Sequence, residues 1–568
     1  MILQALYDYY WILESEGKIP TKGFEFKKPS FCVVLNKDGK IKRIDDLKGS
    51  GRTTEVPKLH APRTRASVPR FLCDNADYAL GLGSFENFCS FRELNMELVE
   101  RVPGAEPFRK FLLTWNPYDD DGIFEDYREI MQQDKGIVVF QIKGDSEFLH
   151  EKQAVKDLWQ EYYFDKQKEG QPEMFCLITG EHTKIRNLHP KVSGIGDQGS
   201  APLISFNENA FVFDGSTPHS SPIGIEAAEA YSDALSYLAD NQETYINIAG
   251  TKIIFWAKNP GNNEENFFSL ALTNKIPNTE TDWELIGTLR DLFDRGRKGE
   301  EIRGELPGID ENAKFYVLGI ERGYRPAIQF FHVNDFGEIV EKVWQHHRDM
   351  ALVKNYESDP DIIPIRQILL ETCPTKTEKK VIPPSLSRAL LDAVLTGSMY
   401  PRGLLEKVLR RIQKGEEGGE YVKASIIKAY LNRKNRLQNT GRREIKMGLD
   451  YENHNVGYLL GRLFAVVEVA QKYAINPQRS IKEKKIATAS KKPNMAFPQI
   501  LGKLQHYVKK IGNNYYDKQA ENILQHIEEI PVNLDIEEQG EFFLGYYHQK
   551  KHLYTPKEEK EKEVVSNE

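Results

Sequence analysis

Asp74 and Asn75, within the stretch FLCDNADYALG, are two side-chain types well suited to reading a base edge. An Asn amide offers a donor and an acceptor that match adenine, and a carboxylate accepts from the amino group of cytosine. Arg63, Arg65 and Arg70 lie just upstream, where guanidinium groups can hold the flanking duplex by its phosphates. The same two residues are what a helix N-cap prefers, so the spacing equally predicts a cap on a helix that starts at Ala76.

The Gly- and Ser-rich loop from Ser193 to Ser200 is a second candidate. Gly194, Gly196 and Gly199 fit G-x-G-x-x-G, but Pro202 and the strand-like LISF follow where a dinucleotide fold needs a helix. Two readings stand: a tight connection between strands, or an amide-lined contact in which Ser193, Gly194, Gly196, Gln198 and Ser200 track the shape of a groove. A third candidate is the basic helical part of the chain. An unpaired strand needs a charged groove with aromatic platforms, for which Lys482, Lys484, Lys485, Lys491 and Lys492 accompany Phe497 and Tyr507. Arg402, Arg410, Arg411, Arg433, Lys434 and Arg436 extend the same track. Phe464, Phe497 and Tyr507 fit a helix-bundle core equally well.

Catalysis and metal binding find less support. His346-His347-Arg348-Asp349 holds the residue types of a metal-dependent phosphohydrolase or nuclease, but no companion ligand spacing accompanies it. Cys176, His182 and His189 supply three ligands where structural zinc takes four. The expectation is therefore no enzyme activity, no metal and no cofactor.

The elements that must position these residues read as an α+β chain. An amphipathic helix opens it, with Leu3, Leu6, Tyr7, Tyr10 and Leu13 at core spacing. FCVVLN and KIKRI flank Lys37-Asp38-Gly39 and predict a hairpin. Further strands are expected at GIVVFQI from Gly136, at Ile246 to Ile248, Lys252 to Trp256, Phe315 to Ile320 and Ala327 to Val333, with a helix over Glu226 to Leu238. After Pro384 the pattern is almost wholly helical. Mixed α/β regions over 1–135 and 136–380 thus precede a basic helical region over 381–446, a helical domain over 447–555 and a charged, disordered tail over 556–568.

Composition narrows the class. The net charge of −7 excludes a uniformly basic nucleic-acid binder, but the charge is segregated. Lys42 to Arg70 carries eight Lys and Arg against three acids, Arg402 to Lys446 thirteen against five, and Lys472 to Lys510 ten against one. Such runs mark either phosphate-tracking surface or solvated helix faces. Five cysteines without a C-x-x-C pair argue against a disulfide framework or zinc ribbon. No basic start marks a signal peptide, and no apolar run is long enough to span a membrane, so a cytoplasmic protein is expected.

Four separated stretches resemble one family in the right order: MILQALYDYYWILES at the start, PRFLCDNADYALGLG from Pro69, the segment from Cys176 through to Ala257, and MGLDYENHNVGYLLGRLFAVVEVAQ from Met447. They are similar to the large subunit of the type I-C CRISPR surveillance complex, Cascade, and the last resembles the start of its small subunit, made from the same reading frame. The loop after Gly196 departs from relatives, which often carry a pair of serines after the glutamine. The resemblance implies a prokaryotic, RNA-guided antiviral complex in which this chain reads the protospacer-adjacent motif of double-stranded DNA. It further implies that the chain helps unwind the target, that its helical part holds the displaced single strand, and that Met447 is an internal start. The implied partners are guide RNA, the backbone, guide-capping and small subunits, and a helicase-nuclease effector, with no membrane. A purely structural scaffold subunit is the remaining alternative.

Overall fold

The computed structural model describes residues 2–61, 63, 67–119, 122–134, 136–206, 210, 212, 217–258, 264–273, 287, 291, 309–374, 381–416 and 418–556. Arg65 and the tail after Pro556 lie outside them. The α+β class holds: small sheets occupy the N-terminal and central parts, and the chain from Phe336 onward is helical. It forms two compact units, Met1–Asp240 with Tyr324–Pro326, and Asn241–Gly323 with Ala327–Glu568.

The first unit is built on a four-stranded sheet. Pro29–Leu35 pairs antiparallel with Ile41–Asp46 and parallel with Ile137–Ile142, which in turn pairs antiparallel with Cys73–Asn75. Gly39 takes the positive φ that the predicted turn requires. Alternation along the central strands sends Phe31, Val33 and Leu35 to one face, against the aromatic core formed by Phe88, Phe91, Phe108, Phe111 and Phe140. Cys32, Val34, Cys73 and Val139 pack on the other face with Val56 and Phe148. Because Ile137–Ile142 is a central strand of this sheet, the boundary expected at 135/136 falls inside one folded body. The opening helix, Ile2–Ser15, buries Leu6, Tyr10 and Leu13 as expected, but Ala5 and Tyr9 fill places assigned to Leu3 and Tyr7, which are only partly buried.

In the second unit, Tyr245–Ile248, Thr251–Ala257, Lys314–Glu321 and Ala327–Asp335 form an antiparallel meander. Helices Phe336–Met350, Pro384–Thr396, Arg402–Gln413 and Glu420–Gln438 follow, and their apolar faces share one continuous core with the helices after Met447. The domains expected to divide at 446/447 therefore share that core. Helices Val456–Ile475 and Ile536–Tyr554 run parallel at very close approach: a Cβ on Gly461 would meet the Phe542 carbonyl, and one on Gly545 the Tyr458 carbonyl. Glycine costs about 1 kcal/mol in a helix interior, so its presence here reflects that backbone contact. Among the described residues, no helix is long and apolar enough to cross a membrane.

Candidate nucleic-acid interface

The segment carrying Asp74 and Asn75 is positioned by a strained turn that the sequence does not announce. Leu72 is fully buried at φ 57°, a region unfavourable for a branched side chain. Its N–H donates to Asn95 Oδ1 at 2.7 Å, while Asn95 Nδ2 donates to the carbonyls of Phe91 (2.8 Å) and Arg70 (3.3 Å). Asn95 is itself fully buried on helix Phe85–Val99 and thereby ties the turn to the core. Only the residue type, a polar amide among apolar neighbours, hints at this role in the sequence.

From that turn Cys73–Asn75 enters the sheet edge, and the two candidate readers part company. Asp74 is 0 % exposed. It pairs with Arg63 and accepts from the Arg70 N–H at 2.8 Å and the Asn75 N–H at 2.8 Å. Burial pushes its carboxyl up, against the lowering pull of Arg63 and Arg70. The reading of Asp74 as a base reader is thus corrected: a carboxylate this enclosed is a structural anchor. Arg70 is also buried, donating to the Pro57 carbonyl and pairing with Glu25 at 2.6 Å, so it is withdrawn from any phosphate. Arg63 donates from Nε to the Val68 carbonyl at 2.8 Å and lies 3.9 Å from the Tyr78 ring centre.

Asn75 does cap the helix Ala76–Ala79, accepting from the Tyr78 N–H at 3.2 Å. It remains partly exposed, and among the described residues its amide nitrogen has no hydrogen-bond partner. The cap therefore uses the acceptor and leaves the donor without a partner among the described residues.

The glycine loop is a β-hairpin, the structural alternative of the two. Lys191–Gly196 pairs with Gly199–Pro202, and Asp197-Gln198 forms an exposed tip. The strand expected at LISF is displaced to Gly199–Pro202, because Gly199 at φ 93° closes the turn earlier than the apolar residues suggest. Ser193 is held through its N–H by Ser236 Oγ at 3.0 Å. A Cβ on Gly194 would meet Asp240 Oδ1 at 2.7 Å, and one on Gly196 the Ser200 backbone at 2.6 Å. These two glycines serve packing, whereas Gln198 and Ser200 face solvent.

The basic track divides in the same way. Arg433 is fully buried, with Nε 3.2 Å from Asp349 Oδ2, Nη1 donating to the Ala393 carbonyl at 2.8 Å, and its guanidinium 3.9 Å from the Tyr400 ring. Arg436 completes the Asp349 cluster at 2.8 Å. Arg411 is buried against Glu416, Lys434 pairs with Glu537, and Lys482 pairs with Glu420. Those assignments to a strand-binding surface are corrected, since carboxylates within the fold, from the fully buried Asp349 to the partly exposed Glu416, Glu420 and Glu537, claim the cations. Phe464, Phe497 and Tyr507 are buried as core and offer no platform. Arg402 is exposed beside Glu406, and Lys485 donates to Gln499. Arg410, Lys484, Lys491 and Lys492 are exposed and, among the described residues, form no ion pair.

The metal and catalytic candidates are consumed internally. His346 Nδ1 lies 2.6 Å from the Tyr400 hydroxyl, and His347 Nε2 lies 2.7 Å from the Ala271 carbonyl. Burial lowers both, His347 to about 4, and Asp349 is held by the two arginines. Cys176 accepts N–H bonds from Gly224 (3.2 Å), Ile178 (3.4 Å) and Thr179 (3.5 Å); burial raises its thiol, but these amides bring it below its ordinary value. His189 instead meets the Tyr231 hydroxyl at 2.8 Å. Among the described residues, no group of three or more His, Cys, Asp or Glu is placed to hold a metal.

Met447, the internal-start candidate, is half-buried in the connection before helix Val456–Ile475, and its carbonyl accepts from the Val353 N–H at 3.1 Å. A family model described as CRISPR-associated protein (Cas_Csd1) matches residues 6–554. No curated protein matches the chain.

Proposed function

This chain belongs to the Cas_Csd1 family of CRISPR-associated proteins, and on that premise we propose that it is the large subunit of a type I-C Cascade, reading the motif beside the target in double-stranded DNA. The observation that carries the reading is the match across residues 6–554, which encloses three of the four stretches that resemble this subunit and takes in the first from Leu6 onward. In RNA-guided recognition of this kind, guide pairing reads most of the target and protein reads a short flank. Asn75 is the reader: its acceptor holds the cap while its amide nitrogen is left for a base edge. Arg63 braces that segment through Asp74, and Gln198 at the hairpin tip, with Ser200, contacts the groove.

The displaced strand follows Arg410, Lys484, Lys491 and Lys492, exposed cations that form no ion pair among the described residues, with Arg402 at the margin. Translation restarting at Met447 yields a fragment whose glycine-interlocked helices Val456–Ile475 and Ile536–Tyr554 supply its own tight packing. The assembled complex then recruits the helicase-nuclease. The chain itself performs no catalysis in this account.

Co-expression with the neighbouring subunits and a guide, followed by DNA binding across a randomised flank, tests the reading. A strong preference at a few flank positions is expected. Equal binding to every flank would leave a scaffold or strand-binding subunit.

A further inference from the structure

In the second unit a cavity of about 640 Å³ opens beside the C-terminal ends of the parallel helices Val456–Ile475 and Ile536–Tyr554 and the loop carrying Asn355 and Tyr356. Its lining includes a polar triad of the buried Glu468 and Tyr546 with the partly buried Lys550. The Tyr546 hydroxyl donates to Glu468 Oε2 at 2.6 Å, Lys550 Nζ donates to the Tyr546 hydroxyl at 2.7 Å, and Lys550 lies 3.5 Å from Glu468 Oε2. Glu468 Oε1 carries no hydrogen bond among the described residues. Burial and the adjacent Glu468 push the Tyr546 phenol well up, so it stays a donor.

The rim has a different character. Tyr356 is 73 % exposed and Tyr554 40 %, with Lys472 5.0 Å from the Tyr554 ring centre. Lys551 Nζ donates to the Asn355 carbonyl at 3.3 Å. Lys472, Lys550 and Lys551 line the cavity against Glu420 and Glu468, and Glu420 is already paired with Lys482. Lysines in the last turn of a helix also answer its carbonyl dipole, but that does not call for exposed aromatic faces or for a lining glutamate with one oxygen left without a hydrogen bond among the described residues.

We propose that this cavity binds one nucleotide, either free or as an unstacked residue of a single strand. The base lies on the Tyr356 and Tyr554 rim, an exocyclic amine donates to Glu468, and the phosphate meets Lys472 and Lys551. An acidic peptide would use the lysines but leave both the aromatic rim and the glutamate acceptor without a role. The inference goes beyond motif reading, since it needs neither guide nor flank.

The test uses the full chain alone, titrated calorimetrically with dCMP, dTMP, a dodecamer of deoxycytidine, an abasic dodecamer and a glutamate-rich peptide. Saturable binding is expected for dCMP, for the deoxycytidine dodecamer, or for both. The dCMP result identifies a free nucleotide as the source, and preference for the dodecamer over its abasic form identifies a strand. Tyr356→Ala and Lys551→Ala should each weaken that binding about tenfold with the melting temperature unchanged, and dTMP, which lacks the amine, should bind more weakly than dCMP. The proposal is overturned if neither ligand binds, if both variants bind as wild type, or if the abasic strand or the peptide binds as tightly as the dodecamer. Flank preference in the assembled complex should not respond to either variant, which separates failure here from failure of motif reading.

Discussion

Arg63 is ion-paired with the fully buried carboxylate of Asp74, so the acidic half of the Asp74-Asn75 step anchors the segment while the amide half stays within reach of a ligand. A pair that looks like one polar unit in sequence is split by the sheet edge into a support and a reader.

The same division predicts opposite outcomes along the basic track. Arg433→Ala leaves the Asp349 carboxylate buried with Arg436 as its remaining arginine and should cost about 3–5 kcal/mol of stability. Lys491→Ala with Lys492→Ala should leave the urea midpoint within error and lower single-strand affinity, reducing the slope of log affinity against log salt by about 0.7 per lysine. A double variant with wild-type affinity and slope would remove these lysines from the strand path.

Gly461→Ala should be strongly destabilising, although alanine is the better helix former. The added methyl meets the Phe542 carbonyl, and overpacking of this kind costs about 1–3 kcal/mol or more. Chemical denaturation of the full chain measures it, and an unchanged or raised midpoint would show that the helix pair is not as close as described.

Stability should depend on pH through buried groups of both signs. Burial lowers His189 and His347 to about 4 and His548 to about 3, below the ordinary 6.5. The unfolded chain therefore binds protons that the folded chain refuses. Stability is full above about pH 6.5 and falls by about 1.4 kcal/mol per pH unit for each histidine as pH drops toward 4. Burial raises the Glu541 carboxyl to about 7, so its contribution is present below pH 4.5 and lost as pH rises through 7. Glu541→Gln should accordingly stabilise the chain by about 1–3 kcal/mol at pH 8 and much less at pH 4.5. Urea midpoints at pH 8, 6 and 4.5 check both statements, and a wild-type midpoint independent of pH would contradict the first.

Much of the fold was legible because its signals are local. The opening helix, the Lys37-Asp38-Gly39 hairpin, the helix after Gly224, the central strands and the helical C-terminal half follow from periodicity and turn chemistry. Site exposure was not legible, because it depends on partners far away in the chain. Nothing around Arg433 reveals that Asp349 lies against it, and Lys434 and Lys482 look like surface charge until Glu537 and Glu420 are placed beside them. Asn95 went unnoticed for the same reason: its value lies in bonds to Arg70 and Leu72, more than twenty positions upstream. The domain boundary at 135/136 failed because a parallel pairing joins Pro29–Leu35 to a strand about a hundred residues later, and such pairings leave no local trace.

Asn75→Ser tests the central claim most directly. Serine is as good an N-cap as asparagine, so stability should change by no more than about 0.5 kcal/mol, yet the amide nitrogen is gone and the single hydroxyl, held at the cap on a shorter side chain, does not reach where it reached. Affinity of the assembled complex across a randomised flank should therefore become nearly flank-independent, with binding to scrambled flanks unchanged. A variant that keeps the full wild-type flank preference would contradict the account and leave Asn75 as a helix cap alone.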